Sequence, residues 1–471
     1  MSARLSMDAA RIFRLSAPLL IGIAAGAVYG LQEGCAGDPV DQGPVMDAAS
    51  SVDAAADALD DAERPQDAAP DASIGDADVA NAAIRCPVTA ACPALLAGSH
   101  LPQDGMLAID PCAFPMQDED CWVEQESLVD QLALTLPELG VAEVLQDLNR
   151  AGSAISVADL TANSAVVPGF RWGFAWNAGD LAVDYWFPQG VTGSPDADPS
   201  GLVAGRRAAM VTWYYAIRSD PGSPGDKGVR ISLADATDPA AVSYRLLLLV
   251  EPYDDGTRAN IRAIDIHAGG AVWFGSYLYV ADTTVGFRVF DLSRILQVDP
   301  SADRIGYDSS TGGYHAFQYK YVVPQVGSYR HQSACEPRFS FVALDRSTSP
   351  PSLVSGEYSA TGIDGRLLRF ALDPASGRLA TGTFYADEAY YLAKRQVQGG
   401  VSHGTTFFLS SSEPASGHGD LTVTGPGASV STSTWIDGPE DLLYDVGTDE
   451  LWSCGEYEPR RYVFAVDAQQ L

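Results

Sequence analysis

The sequence is short of positive charge. Its 471 residues include 29 lysines and arginines against 61 aspartates and glutamates, so the formal net charge is −32 at pH 7. A nucleic-acid binder needs basic side chains that displace counterions from the phosphate backbone. The composition therefore excludes nucleic acid as a partner.

The sequence also lacks a complete catalytic motif. It contains neither a nucleophile elbow nor a phosphate-binding loop. Residues 196–201 resemble the first half of a calcium loop, but Arg207 occupies the place of its last glutamate and Pro199 stiffens the turn, so we interpret them as a solvated loop. Catalysis and any cofactor stay undecided at this level, with a divalent cation such as calcium as the one candidate.

Residues 1–34 have the features of an export signal. Three arginines precede an apolar run over residues 15–30, which is too short and too rich in glycine and alanine for a membrane span. The following Cys35 has a surrounding sequence similar to the lipobox of bacterial lipoproteins, although Gln32 and Glu33 depart from that pattern. Two outcomes stay open: lipidation of Cys35, or ordinary cleavage that leaves Cys35 as a free or paired thiol.

Residues 35–85 are predicted to be a disordered spacer. Positions 36–85 hold 15 alanines, 12 acidic residues, two arginines and no aromatic residue. Such a segment cannot bury enough apolar surface to offset its loss of conformational entropy, and its like charges repel one another. We expect it to hold the folded part away from a surface, so that the protein is secreted or attached to the cell envelope and contacts a membrane only through a lipid anchor.

The cysteines indicate an oxidising compartment. With Cys35 set aside, an even six remain, and their spacings do not match a zinc site, so we predict disulfides among Cys86, Cys92, Cys112, Cys121, Cys335 and Cys454. Cys335 precedes one predicted inner strand and Cys454 ends another second strand. We therefore expect these two cysteines to pair.

Residues 86–152 are predicted to form a small helical cap. Leucines and valines recur near helical spacing between Leu128 and Leu148, and Pro137 and Gly140 divide the run into two short helices. We expect this cap to pack against a larger domain and assign it no chemistry.

Residues 153–471 are predicted to form an all-β domain, because short runs of valine and aromatic residues alternate with turn sequences and helical periodicity is absent. Five segments each lead from a polar or small residue into an apolar strand, and a second and third strand follow. This is the strand order of a β-propeller blade. Five blades fit best, and six or seven also fit the length. We expect the segment between Ile155 and Trp186 to supply the last outer strand and so close the ring.

One segment carries a family resemblance. Residues 277–293, YLYVADTTVGFRVFDLS, resemble an LVIVD-type β-propeller repeat. The stretch from Trp186 to the end is similar to uncharacterised secreted bacterial β-propeller proteins through its Pro-Gln-Gly, His-Ala-Gly-Gly and Gly-Pro-Glu-Asp-Leu sequences. The resemblance implies the fold and brings no activity with it.

Residues at the starts of the inner strands are expected to meet at one mouth of the ring. We predict that Gln189, His267, Gln398 and Glu440 form a ligand site there, with Glu440, Asp441 and His267 as the candidates for catalysis. Asp265 is the one further carboxylate that could act together with Glu440 and Asp441. A glycosidase needs carboxylates that face each other across the pocket.

These observations lead to two functional hypotheses. The first is a surface-anchored, monomeric β-propeller that binds a glycan or a protein partner at the cell surface. The alternative is an extracellular hydrolase of glycosidase or lactonase type that works at the channel mouth. The shortage of facing carboxylates favours binding.

Overall fold

In the computed structural model of the protein, the described residues are 86, 88–94, 105–161, 167–216, 227–360, 362–392, 394–412 and 418–471. The predicted export signal, the acidic spacer and Cys35 lie outside them. Among the described residues, no helix combines the length and apolar character needed to cross a membrane.

The folded part is a five-bladed β-propeller, which confirms the predicted all-β class. Each blade is an antiparallel sheet whose first strand is innermost. From the innermost strand outward, blade 1 consists of Trp186–Gly193, Ala208–Tyr215, Val229–Asp235 and Ser243–Asp254, and blade 2 of Ala271–Phe274, Tyr277–Asp282, Gly286–Asp291 and Tyr321–His331. Blade 3 consists of Phe339–Asp345, Ser352–Glu357, Arg366–Ala371 and Glu388–Tyr391, and blade 4 of Val397–His403, Thr406–Ser411, Asp420–Thr424 and Ser431–Thr434. Blade 5 consists of Pro439–Asp445, Glu450–Gly455, Tyr462–Asp467 and Phe170–Ala175.

The ring closes with a strand from the start of the domain. Phe170–Ala175 pairs with Tyr462–Asp467, so blade 5 takes three strands from the C-terminal end of the chain and one from the N-terminal side. Each inner strand contacts the inner strands of both neighbouring blades. This closure is the one that the sequence predicts, and it leaves no open seam between the first and last blades.

The strands are apolar on both faces because each blade is covered by its neighbours. In Ser243–Asp254, every residue from Leu246 to Val250 is buried. Large aromatic residues fill the gaps between blades. The ring of Trp176 lies edge-on to Trp213 at 5.3 Å and to Tyr244 at 4.8 Å, where residues from blade 1 meet the end of the closing strand.

Blades 1 and 2 share a continuous sheet at their outer edges. Tyr321–His331 is long enough to pair antiparallel with Gly286–Asp291 of blade 2 and, near its beginning, parallel with Ser243–Asp254 of blade 1. Ten short strands extend the blades or join them: Leu107–Ala108, Pro115–Asp118, Glu138–Leu139, Arg150–Ala151, Ser153–Ala154, Ala259–Ala263, Ile295–Gln297, Ile305–Asp308, Gly313–Ala316 and Thr383–Tyr385.

The predicted N-terminal cap packs directly against the ring. Its main helix, Trp122–Ala133, buries Trp122, Leu128, Val129 and Leu132. Trp122 packs so closely on the backbone of Gly327 that a Cβ there would lie 2.5 Å from the indole ring. The other helices are short: Val141–Val144, Val157–Leu160, Ala178–Ala182 and Ser194–Ala197, with 3₁₀ turns at Pro111–Ala113 and Ala468–Gln470.

The disulfides correct one part of the cysteine prediction. Cys86 pairs with Cys112, and Cys92 pairs with Cys335. The predicted Cys335–Cys454 bond is wrong, because Cys454 is a buried free thiol whose sulfur donates to the backbone oxygen of Gln189 at 3.1 Å. Its side chain points between blades 5 and 1, whereas the segment carrying Cys92 reaches the loop before blade 3.

Candidate functional site

Bulges at the starts of the inner strands shape one mouth of the ring. The register of pairing shifts in four of the five inner strands, at Pro188–Val191, Phe339–Phe341, Val397–Gly399 and Pro439–Leu442. A bulge adds an unpaired residue and re-aims its side chain. The residues inside these bulges include Gln189, Ser340, Gln398 and Glu440, so three of the four predicted site residues sit in bulges within strands and not before them.

Glycines beside the bulges allow the inner strands to approach backbone to backbone. A Cβ on Gly190 of blade 1 would lie 2.6 Å from the carbonyl carbon of Gly270, and a Cβ on Gly399 of blade 4 would lie 2.6 Å from the Cα of Asp441. Only glycine fits such contacts. The repeated glycines in the sequence are therefore explained by the narrowness of a five-bladed ring.

A cavity of about 660 Å³ opens at this end of the molecule. Its wall includes three residues that the sequence analysis singled out, His267, Gln398 and Asp265. The remaining lining residues come from blades 1, 2 and 3 and their loops: Tyr214, Tyr215, Ile266, Asp282, Thr283, Thr284, Arg338, Ser340 and Tyr358. A cavity of this volume matches the size of a small-ligand site.

Tyr214, Tyr215 and Tyr358 line the cavity, and two further exposed tyrosines lie outside its lining. Tyr358 is 39% exposed, and Tyr457, which follows the second strand of blade 5, is 45% exposed and packs against Gly438. Tyr185 is 36% exposed, and its ring lies 5.5 Å from that of Tyr215 in the wall. The mouth thus presents flat apolar rings that end in hydroxyl groups.

Hydrogen bonds and ring contacts join the four predicted residues into two groups, one of which includes two residues that were not predicted. Gln189 donates to Glu456 at 3.1 Å, and the Tyr214 hydroxyl also hydrogen-bonds the Glu456 carboxylate. The Tyr214 ring lies 4.3 Å from the His267 ring. On the other side, Gln398 donates to Glu440 at 3.4 Å.

Glu456 and Tyr214 share a position that sequence reasoning could have used. Second strands run antiparallel to inner strands, so the end of each second strand lies beside the start of its inner strand. Tyr214 lies near the end of the second strand of blade 1, and Asp282 ends that of blade 2, while Tyr358 and Glu456 directly follow those of blades 3 and 5. The mouth is therefore built from two sets of strand ends, of which the prediction included only the starts of the inner strands.

The carboxylates expected in the open channel are buried. Glu440 is 1% exposed and Asp441 is fully buried, and neither belongs to the cavity wall. One Asp441 oxygen accepts the backbone N–H groups of Val191 at 3.2 Å and Ala271 at 3.1 Å. Glu440, predicted to form part of the ligand site at the mouth, is therefore buried outside the cavity wall, and Asp441 joins blade 5 to blades 1 and 2 as a structural residue.

Burial sets the ionisation of the groups beneath the cavity. Desolvation, with the nearby Glu456 and Asp441, holds the pKa of Glu440 well above its usual range, and desolvation raises the pKa of Glu456 to about 7. Desolvation likewise raises the pKa of the Cys454 thiol. His267 is accessible to water in the concave wall, but the protein around its ring lowers the pKa of the imidazole.

These shifts predict that stability falls as pH rises from about 4 to about 7. Asp196 is buried on the inner side of blade 1, and desolvation raises its pKa to about 7, as it does for Glu456. In this window the folded protein keeps both protons and the unfolded chain has released them, so each group should cost about 1 to 3 kcal/mol of unfolding free energy at pH 7 relative to pH 4.

Urea unfolding between pH 4 and 8 tests this pH dependence. The double variant Glu456→Gln, Asp196→Asn should reduce the fall without abolishing it, because the buried Glu440 and Asp441 also keep their protons in this window. Glu124→Gln, at an exposed helix position, should leave the fall unchanged. An equal fall in the wild type and the double variant would contradict the assignment.

The described residues offer little for a metal ion. Nowhere within them do three or more histidine, cysteine or acidic side chains come together in a way that could hold a cation. Asp196 lies in the helix Ser194–Ala197 and accepts a hydrogen bond from the Thr192 hydroxyl at 2.7 Å, so it is part of the packed interior and not of a calcium loop.

No protein-family model matches the sequence, and no curated protein matches it either. Among solved structures, the chain is similar to hydrazine synthase of Kuenenia stuttgartiensis, with 12% identity, coverage of 57% of this chain and 74% of that one, and a TM-score of 0.27. An auxiliary nutrient binding protein of Bacteroides thetaiotaomicron is 14% identical, with coverage of 54% of this chain and 65% of that one and a TM-score of 0.25. A subtype N11 neuraminidase-like protein of A/flat-faced bat/Peru/033/2010 is 8% identical, with coverage of 69% of this chain and 96% of that one and a TM-score of 0.29. These similarities are too distant to carry an argument about function.

Proposed function

We propose that this protein is an exported β-propeller that binds a glycan at the mouth of its ring. The observation that carries the proposal is the cavity of about 660 Å³ whose wall combines Tyr214, Tyr215 and Tyr358 with the polar groups of His267 and Gln398. Aromatic rings offer apolar faces on which a sugar ring packs, and a few placed polar groups orient its hydroxyls.

The shape of the site favours a glycan over a protein partner. A stable protein interface buries about 1,200 Å² or more and is centred on a well-packed apolar patch. Here Tyr214, Tyr215 and Tyr358 line a concave cavity. A chain of a few sugar units fits such a cavity, and the exposed ring of Tyr358 extends the contact.

The site geometry gives less support to the hydrolase alternative. Acid–base cleavage of a glycoside needs two carboxyl groups about 5 to 10 Å apart on either side of the bond. Glu440 and Asp441 are buried below the cavity, and Asp282 in the wall is held by Arg288 at 2.9 Å. That leaves Asp265 as the exposed carboxylate of the wall without such an ion pair, so binding is the better supported function.

Export, with anchoring through Cys35, belongs to the same proposal. The bonds Cys86–Cys112 and Cys92–Cys335 support an oxidising compartment. An acidic spacer behind a lipidated residue would present the propeller to glycans at the cell surface.

Calorimetric titration with a panel of neutral and acidic oligosaccharides tests the proposal. We expect at least one member to bind, and Tyr358→Ala to weaken its binding at least about tenfold through loss of ring contact. Tyr253→Ala, on the outermost strand of blade 1, is the matched control and should bind like the wild type. If no sugar binds, or if both variants weaken binding equally, the proposal is wrong.

A further inference from the structure

Arg338 carries a positive charge that no side chain of the described residues neutralises. It lies in the cavity wall and is exposed. Most other arginines of the described ranges have side chains engaged in ion pairs, hydrogen bonds or aromatic contacts, as Arg288 has with Asp282 and Arg258 with the ring of Tyr307. Within those ranges the Arg338 guanidinium makes no such contact, although the chain holds twice as many acidic as basic residues.

The backbone that carries Arg338 is nevertheless firmly held. Its N–H donates to one oxygen of Glu357 at 2.9 Å, and the same oxygen accepts from Arg366 at 2.7 Å. Three residues earlier, Cys335 is tied to Cys92. Phe339, the next residue, is fully buried in the core. The fixed backbone keeps this guanidinium at the cavity wall, within reach of a ligand, so that binding orders the side chain alone.

The other charges of the wall indicate how a ligand would lie. Asp265 is exposed and can accept hydrogen bonds from sugar hydroxyls, but it would repel an anionic group placed beside it. Asp282 is neutralised by Arg288. A negative group on the ligand is therefore favoured at the blade 3 side of the cavity, where Arg338 lies.

We propose that the glycan bound at the mouth is acidic and that Arg338 pairs with the carboxylate of a uronic-acid unit. The inference rests on the proposed function and adds the class of sugar. A guanidinium fork matches the two oxygens of a carboxylate in a planar, bidentate contact, which is stronger than a neutral hydrogen bond. The long side chain at the rim reaches a carboxylate while the sugar ring packs on Tyr358.

Matched pairs of oligosaccharides test this inference by calorimetry, with galactose and galacturonate oligomers of equal length as one pair and glucose and glucuronate oligomers as another. The wild type should bind a uronate oligomer about tenfold or more tightly than its neutral counterpart, about 1.4 kcal/mol. Arg338→Gln should remove that preference and leave the affinity for the neutral sugar within about twofold. Arg304→Gln, which removes an exposed charge outside the cavity wall, should keep the preference.

The outcomes separate the two proposals. Equal affinity for neutral and uronate sugars, or an equal loss of both in Arg338→Gln, would overturn the role of Arg338 and leave glycan binding intact. Tighter binding of a sulfated galactose oligomer than of the uronate would replace the carboxylate with a sulfate ester. Failure of every sugar to bind would overturn both proposals.

Discussion

Replacing Cys92 and Cys335 together with serine is expected to lower the free energy of unfolding by about 5 to 6 kcal/mol. The bond joins residues 243 positions apart, and the entropy that a cross-link removes from the unfolded chain grows with the length of the loop it closes. The loss should appear as a lower urea midpoint under non-reducing conditions.

The second disulfide provides the matched comparison. Cys86 and Cys112 are 26 residues apart, so their replacement by serine should cost less, about 3 kcal/mol. Cys454→Ser, which removes a thiol and no cross-link, should cost about 1 kcal/mol, the value of one buried hydrogen bond. A loss for the Cys92–Cys335 pair no greater than that for Cys454→Ser would show that the bond does not constrain the chain.

Asp441→Ala is expected to destabilise the propeller by about 2 to 5 kcal/mol. The substitution leaves the backbone N–H groups of Val191 and Ala271 buried without their acceptor, and each unsatisfied group costs about 1 to 3 kcal/mol. The effect should be large because one carboxylate connects three blades at the centre of the ring.

Asp441→Asn separates this structural role from a role of the charge. The amide keeps an oxygen that can accept from both N–H groups, so its unfolding free energy should stay within about 1 kcal/mol of the wild type. Urea unfolding of the two variants side by side is the measurement. If the asparagine variant is as unstable as the alanine variant, the carboxylate acts by its charge and not as an acceptor.

The sequence was sufficient for the architecture because blade structure is repeated locally. Each inner strand has a glycine or proline beside a polar residue at its start, and the structure explains this by bulges and by backbone contacts that only glycine allows. The closing strand was also predictable, since three strands of blade 5 at the end of the chain require a fourth from elsewhere.

The details that the sequence missed depend on contacts between distant segments. Nothing local to Cys335 shows that the segment around Cys92, 243 residues earlier, crosses the same face. Likewise, the burial of Glu440 follows from how closely blades 4 and 5 approach at Gly399, which no local pattern reveals. Tyr214 and Glu456, by contrast, follow from pairing within a blade, because the ends of the second strands lie beside the starts of the inner strands.

A crystal structure of the protein soaked with the tightest-binding oligosaccharide would show whether a sugar binds in the cavity lined by Tyr358, His267 and Gln398. We expect a sugar ring packed on Tyr358, hydroxyls within hydrogen-bonding distance of Gln398 or Asp265, and a uronate carboxylate at Arg338. Sugar density at another surface, with the cavity filled by water alone, would contradict this expectation.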